Sequence, residues 1–208
     1  MIRLPTFDSE NELGALGYRL IAGIDEVGRG ALAGPVFAAA VMLPVDADFA
    51  WLPLVRDSKQ LSPRQREHLF QLIQQDNIPV GLGKVPHSVV DDIGIVRATR
   101  LAMCQAVERL SVVPDFLIID ALTLPDIPLP QKGMVRGDEK SVSIACASVV
   151  AKVSRDRYMA ELDGIYPGYG LAAHKGYGTS QHLARLRQLG PSPIHRRSFA
   201  PVQRLIKA

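Results

Sequence analysis

The run Ile21-Ala22-Gly23-Ile24 has no polar side chain, and it delivers two adjacent carboxylates, Asp25 and Glu26, into Gly28-Arg29-Gly30. A short apolar run ended by acid and glycine, here Leu20 to Ile24, reads as a buried strand rather than a helix. A charge at the buried end of such a strand is costly unless something cationic compensates it. Successive strand side chains point to opposite faces, so Asp25 and Glu26 can share one ion only if the backbone leaves regular strand geometry at Glu26. Gly28 and Gly30 permit that departure and let backbone amides approach a ligand closely. The stretch is suited to holding a metal beside a phosphate; the plainer alternative is a solvated acid pair opening a turn.

The rest of the chain supplies strands and helices around this feature. Pro35 to Leu43 reads as a second strand, forming a hairpin with the first through the turn from Gly28 to Gly34. Ser62, Pro63 and Gln65 form a helix-start signature ahead of the apolar stripe Leu69, Phe70, Leu72 and Ile73. Ile78 to Val85 reads as a third strand, Asp91 to Leu110 as one core-facing helix, and Phe116 to Ile119 as a strand ending in Asp120. Leu124 to Pro130 is a proline-rich loop, and Met134-Val135 a short strand before Gly137-Asp138. A long helix follows from Ser141 and is broken at Tyr166-Pro167-Gly168-Tyr169-Gly170, with a short helix from Ser180 to Leu189 beyond. Strands with interspersed helices imply an α/β class.

Composition narrows the partners. With 208 residues, 47% of them hydrophobic, the chain can bury one substantial core, so one main domain over 1–208 is expected. The net charge of +3 is modest, but from Lys175 to Lys207 the chain carries seven Lys and Arg residues and no acid, a basic C-terminal region suited to nucleic acid or simply solvated. Cys104 and Cys146 lie in apolar helical patterns and read as small buried residues of a reducing compartment. No secretory signal pattern opens the chain, and no apolar run reaches the roughly 20 residues that span a bilayer. A cytoplasmic protein with no membrane partner is expected.

Asp120 and Asp138 each follow an apolar run, so both could converge on Asp25 at one end of a sheet, although each alone would serve as a turn residue or helix cap. Gathered carboxylates repel and raise one another's pKa, and hard divalent cations relieve that repulsion. Two such ions about 4 Å apart can activate water and stabilise a leaving oxygen in phosphodiester cleavage.

Six segments carry a resemblance: Asp25-Glu26-Val27-Gly28-Arg29-Gly30, Asp57-Ser58-Lys59-Gln60-Leu61-Ser62, Gly137-Asp138-Glu139-Lys140-Ser141, Ala151-Lys152-Val153-Ser154-Arg155-Asp156, His174-Lys175-Gly176-Tyr177-Gly178-Thr179 and His195-Arg196-Arg197-Ser198-Phe199. In this order, over nearly the whole chain, they resemble the successive motifs of bacterial ribonuclease HII. The resemblance implies an RNase H-like mixed β-sheet flanked by helices, with a small C-terminal helical substrate-binding extension from about residue 165. It implies a monomeric endoribonuclease using two Mg²⁺ or Mn²⁺ ions on RNA/DNA hybrids and on duplex DNA containing ribonucleotides. The cut would fall 5′ of the ribonucleotide and leave 3′-hydroxyl and 5′-phosphate ends, in ribonucleotide and RNA primer removal. Asp25, Glu26, Asp120 and Asp138 match the family's catalytic metal-binding carboxylates. Cys146 and Ala121 depart from its pattern, standing where alanine and glycine are usual.

For substrate contacts, the resemblance assigns reading of the ribonucleotide to Gly28, Arg29 and Gly30, and the RNA-to-DNA junction to Tyr177. The 2′-hydroxyl is what separates RNA from DNA at such a site. Ser58 and Lys59 resemble contacts near the cleaved phosphate, while Lys175, Arg196 and Arg197 suit sequence-independent duplex binding. Asp156, flanked by arginines, reads as a salt-bridged helix residue, and His174, His182 and His195 as packing or hydrogen-bonding residues without a catalytic part. Two alternatives stay open: an RNase H-fold DNA nuclease or recombinase, and a non-catalytic nucleic-acid-binding module.

Overall fold

Apolar residues on both faces of the same strands call for a sheet covered by helices on each side. The computed structural model describes residues 4–206, so Lys207 of the basic region lies outside it. Its five strands are β1 (Ile21–Val27), β2 (Val36–Met42), β3 (Val80–Val85), β4 (Phe116–Asp120) and β5 (Gln131–Met134), ordered β3-β2-β1-β4-β5 across the sheet. β1 and β2 form the expected antiparallel hairpin, and β3 is antiparallel to β2. β4 lies parallel to β1, and β5 parallel to β4, so the sheet is mixed with β1 at its centre.

The helices are α1 (Asp8–Ala15), α2 (Pro63–Gln75), α3 (His87–Ile93), α4 (Ile95–Glu108), α5 (Val142–Ile165), α6 (Leu171–His174), α7 (Ser180–Leu189) and α8 (Ala200–Ile206). Alternation along β2 sends Ala39 and Val41 into a core with α5 and α2, and Ala38, Ala40 and Met42 into another with α4. α5 lies so close to β1 that a Cβ on Gly23 would stand 2.3 Å from the Ser143 carbonyl carbon, which leaves room for glycine alone. A third cluster joins Met159 and Leu162 at the end of α5 to Tyr169, Leu171, Leu186, Ile194 and Val202, with Leu32 and Ala33 of the β1–β2 loop. The residues after about 165 thus fold as α6–α8 against that loop.

Local chemistry fixes the helix starts. Ser62 accepts from the Gln65 N–H, and the Gln65 side chain accepts from the Ser62 N–H at 2.9 Å, a complete capping box at α2. At α5, Ser141 accepts from the Ile144 N–H at 3.2 Å, while buried Glu10 of α1 accepts from the Ser141 hydroxyl at 2.7 Å and the Ser143 N–H at 3.0 Å. Three expectations shift. Gly94, at φ +79°, divides Asp91 to Leu110 into α3 and α4, because a left-handed residue ends one helix before the next begins. The short strand near Met134 is β5, running Gln131–Met134, and it is set by pairing with Leu117–Asp120 rather than by an apolar run. β1 continues through Glu26 to Val27, with Glu26 paired opposite Ala38. Both cysteines are buried and free, and no helix among the described residues is long and apolar enough to cross a membrane.

Candidate active site

β1 and β4 run side by side and parallel, Ile24 opposite Ile119, so the next residues, Asp25 and Asp120, emerge together at their C-terminal ends. Glu26 joins them: carboxylate oxygens of Asp25, Glu26 and Asp120 all lie within 4.8 Å of one another. This corrects the expectation that convergence requires a break in strand geometry. The longer glutamate side chain closes the distance instead, held by Arg29 at 3.2 Å. Asp25 is nearly buried, with one oxygen accepting from the Glu26 N–H at 2.7 Å. Asp120 accepts from the Gly137 N–H at 2.6 Å, and Ala121, at φ +54°, turns the chain away immediately after it.

Asp138 sits in the single helical turn Gly137–Glu139 and is buried at 4% exposure. It stands outside the tight three-acid group, one oxygen held by the Lys59 ammonium at 3.0 Å. Burial, then Glu26, Asp120 and Asp138, push the Asp25 carboxyl well above its ordinary range. Burial also raises Glu26, against the pull of Arg29, and raises Asp120, against the Gly137 N–H. Lys59 is largely exposed, and the partial desolvation of its ammonium is outweighed by Asp138, Asp57 and Asp25, which hold its charge on firmly. One Glu26 oxygen is buried with no hydrogen-bond partner. An orphaned carboxylate oxygen among mutually repelling acids fits an all-oxygen site for a hard divalent cation.

The acids open into a cleft of about 220 Å³ lined also by Gly28, Arg29, Gly30, Ser58, Lys59, Ser148, Lys152 and Tyr177. The β1–β2 loop that forms one wall is stitched between two distant segments: Leu32 N–H donates to Gly176 at 2.8 Å, Gly34 N–H to Ile194 at 2.9 Å, and Arg196 N–H to Leu32 at 2.8 Å. Two fully buried arginines complete the stitching. Arg155 donates to the carbonyls of Pro35, Lys175 and Ala33, and Arg196 to those of Gly34 and Arg29. Gly28, at φ +91°, lies directly on Arg155: a Cβ there would stand 2.2 Å from Nε. Arg155 also approaches the face of the Tyr177 ring at 5.4 Å.

This placement corrects Arg196. Its guanidinium is buried and engaged with loop carbonyls, so it shapes the loop rather than meeting a phosphate, whereas Arg197 is exposed. The Ser58 hydroxyl shares a hydrogen bond with Ser148 at 2.7 Å at the cleft wall, and Lys59 spans Asp138 and Asp57. Lys175 is half-buried, its ammonium donating to the Asp156 carbonyl at 3.4 Å. Asp156 is ion-paired as expected, but with Lys152 at 2.7 Å rather than a flanking arginine. The sequence reading missed Arg155, although an arginine on the small-residue stripe of α5 is itself a signal. It also assigned nothing to Asp57, Ser148 or Lys152.

Comparisons with known proteins agree with this geometry. The family model for Ribonuclease HII matches residues 22–202. A Ribonuclease HII from Dehalococcoides mccartyi is 55% identical over 199 residues, 96% of this chain and 94% of the relative. The ribonuclease H2 of Pyrococcus horikoshii OT3 has a similar fold, with a TM-score of 0.73 and 24% identity over 90% of this chain and 97% of that one. Bst-RNase HIII, solved in complex with Mn²⁺, has a TM-score of 0.69 at 19% identity over 93% of this chain and 71% of that one. A mixed sheet carrying three converging acids, matched over nearly its whole length by these relatives, belongs to the ribonuclease HII family of ribonuclease H enzymes.

Proposed function

We propose that this chain is a divalent-metal-dependent endoribonuclease that cuts RNA in RNA/DNA hybrids and 5′ of ribonucleotides embedded in duplex DNA, leaving 3′-hydroxyl and 5′-phosphate ends. The observation that carries the reading is the meeting, in one cleft, of the Asp25-Glu26-Asp120 cluster with the Gly28-Arg29-Gly30 loop and Tyr177. Asp25, Glu26, Asp120 and Asp138 would hold Mg²⁺ or Mn²⁺, which supplies an activated water and charge neutralisation at the leaving oxygen. The protein's own part is positional. Burial keeps the acids in place, and Arg29 fixes Glu26. Lys59 restrains Asp138 while its exposed ammonium remains close to a phosphate entering the cleft.

Gly28 and Gly30 line the cleft and would let backbone approach the sugar closely, and the Tyr177 ring, in the same cleft, would pack against the ribose at an RNA-to-DNA junction with its hydroxyl bonding the 2′-oxygen. Lys175 and Arg197 supply salt-dependent attraction to the duplex. The helical region beyond about 165 is read as the substrate-binding part of one catalytic domain. The role is ribonucleotide and primer removal by a cytoplasmic monomer. In the test, Asp25→Asn and Asp120→Asn each abolish cleavage of a ribonucleotide-containing duplex while binding it with affinity close to wild type. Retained turnover in both variants would refute the assignment.

A further inference from the structure

His174, His182 and His195 are all buried and lie against one another: the His174 and His182 rings stack with centroids 4.2 Å apart, and His182 Nε2 meets His195 Nε2 at 3.1 Å. Their tautomers follow from the backbone groups around them. A backbone N–H can only donate, so His195 Nδ1, which takes the Ser192 N–H at 3.0 Å, carries no proton. The neutral ring then has its proton on Nε2 and donates to His182 Nε2. His182 in turn must carry its proton on Nδ1, where it donates to the Tyr177 carbonyl at 3.0 Å. His174 is fixed in the same way: Nδ1 accepts from the Gly176 N–H at 3.2 Å, so Nε2–H donates to the Tyr169 carbonyl at 2.8 Å.

The result is a one-way chain, Ser192 to His195 to His182 to Tyr177, in which every ring is uncharged. A second proton on His182 would set two N–H groups against each other at the 3.1 Å contact, and one on His195 would face the Ser192 N–H at 3.0 Å. The surroundings oppose that proton. Burial comes first, and the titratable neighbours acting on His195 are His182, His87 from α3 and His174 from α6, none of them acidic. His182 is likewise lowered, first by burial and also by His174. Arg196 follows His195 in sequence and Arg155 lies over the Tyr177 ring; the nearby acid, Asp91, is engaged with the Arg197 and Ser198 N–H groups and acts on His87 and Arg196, not on His195 or His182.

We propose that His182 and His195 are positioning residues for Tyr177, forming an uncharged, tautomer-locked relay that sets the height of the tyrosine in the cleft. Tyr177 is also tied through its own N–H to the His174 carbonyl at 2.9 Å, through its carbonyl to the Thr179 N–H at 2.8 Å, through Arg155 against its ring and through a bridge to Ala31; of these ties, the relay is the link to the 192–196 segment. The proposal rests on the reading of Tyr177 as the junction contact, and it adds the residues that make that contact reproducible.

Two measurements test it on the full chain. Nitrogen-15 NMR of histidine-labelled protein at pH 7 reads each ring's tautomer without any need for activity. The expected result is Nε2–H for His195 and His174 and Nδ1–H for His182; the opposite tautomer at His182 or His195, or a charged ring, overturns the relay. Kinetics then give the ratio of kcat/KM on a single-ribonucleotide duplex to that on an RNA/DNA hybrid. His195→Ala lowers this ratio about fivefold, the scale of one lost hydrogen bond, and His195→Gln restores it, because the glutamine amide donates from the Nε2 position. A wild-type ratio in His195→Ala beside a lowered one in Tyr177→Ala overturns the positioning role. A wild-type ratio in Tyr177→Ala instead refutes the junction reading of the tyrosine, and the positioning role with it, while the tautomers still report whether the relay exists.

Discussion

A carboxylate at the buried end of β1, with Glu26 and Asp120 beside it, is opposed by both desolvation and like charge. That placement serves a bound cation and destabilises the protein without one, a trade-off common at active sites. Asp25→Asn therefore raises the melting temperature of the chelator-treated protein, by roughly 2–4 °C for each kcal/mol of repulsion relieved, even as cleavage is lost. Adding Mg²⁺ raises the melting temperature of the wild type and has little effect on the variant; differential scanning fluorimetry with and without metal reads both. Asp25, Glu26 and Asp120 were legible in the sequence because apolar runs announce their strand ends, whereas Asp138 lies in a helical turn beyond β5. Arg196 was not legible: sequence records a basic residue, but not the loop carbonyls of Arg29 and Gly34 that would otherwise be left without donors.

The hairpin of β1 and β2 and the capped start of α2 match the sequence expectation, since continuous apolar runs on either side of a glycine-bounded turn and a capping box are local signals. Elements fixed by distant partners do not. The periodic apolar residues of α3 and α4 continue across Gly94, hiding the break, and β5 is an edge strand whose residues owe their geometry to β4. Nor did anything near Glu10 announce that α1 caps α5 across 131 positions of sequence. Glu10→Ala leaves the Ser143 N–H and the Ser141 hydroxyl without their buried acceptor. It lowers unfolding free energy by about 1–3 kcal/mol in urea titration, with Glu10→Gln losing less because its amide oxygen still accepts.

Across the whole molecule, the β1–β2 loop is the meeting point of everything that defines the cleft: strand ends on one side, and α5, the Tyr177 segment and the 192–196 segment on the other. Sequence revealed the motifs in order but not that two buried arginines and a histidine relay join them. This join responds to acid. His195 is pushed from 6.5 down to about 4 by burial and its histidine neighbours. The unfolded chain therefore binds the proton first, and the stability His195 contributes is full above about pH 6.5 and drains away as pH falls toward 4. The raised carboxylates act oppositely, their repulsion fading as they protonate. Denaturant unfolding between pH 4 and 7 isolates the histidine: His195→Gln flattens the acid limb, removing a slope of up to about 1.4 kcal/mol per pH unit. The proposed activity is metal-dependent cleavage gated by a 2′-hydroxyl. It is tested most directly with an end-labelled DNA duplex carrying one ribonucleotide, beside its all-DNA counterpart, in Mg²⁺, Mn²⁺ or chelator. The expected result is a cut 5′ of the ribonucleotide only with metal, and an intact all-DNA duplex. Cutting of both duplexes, or binding without cutting in either metal, would contradict it.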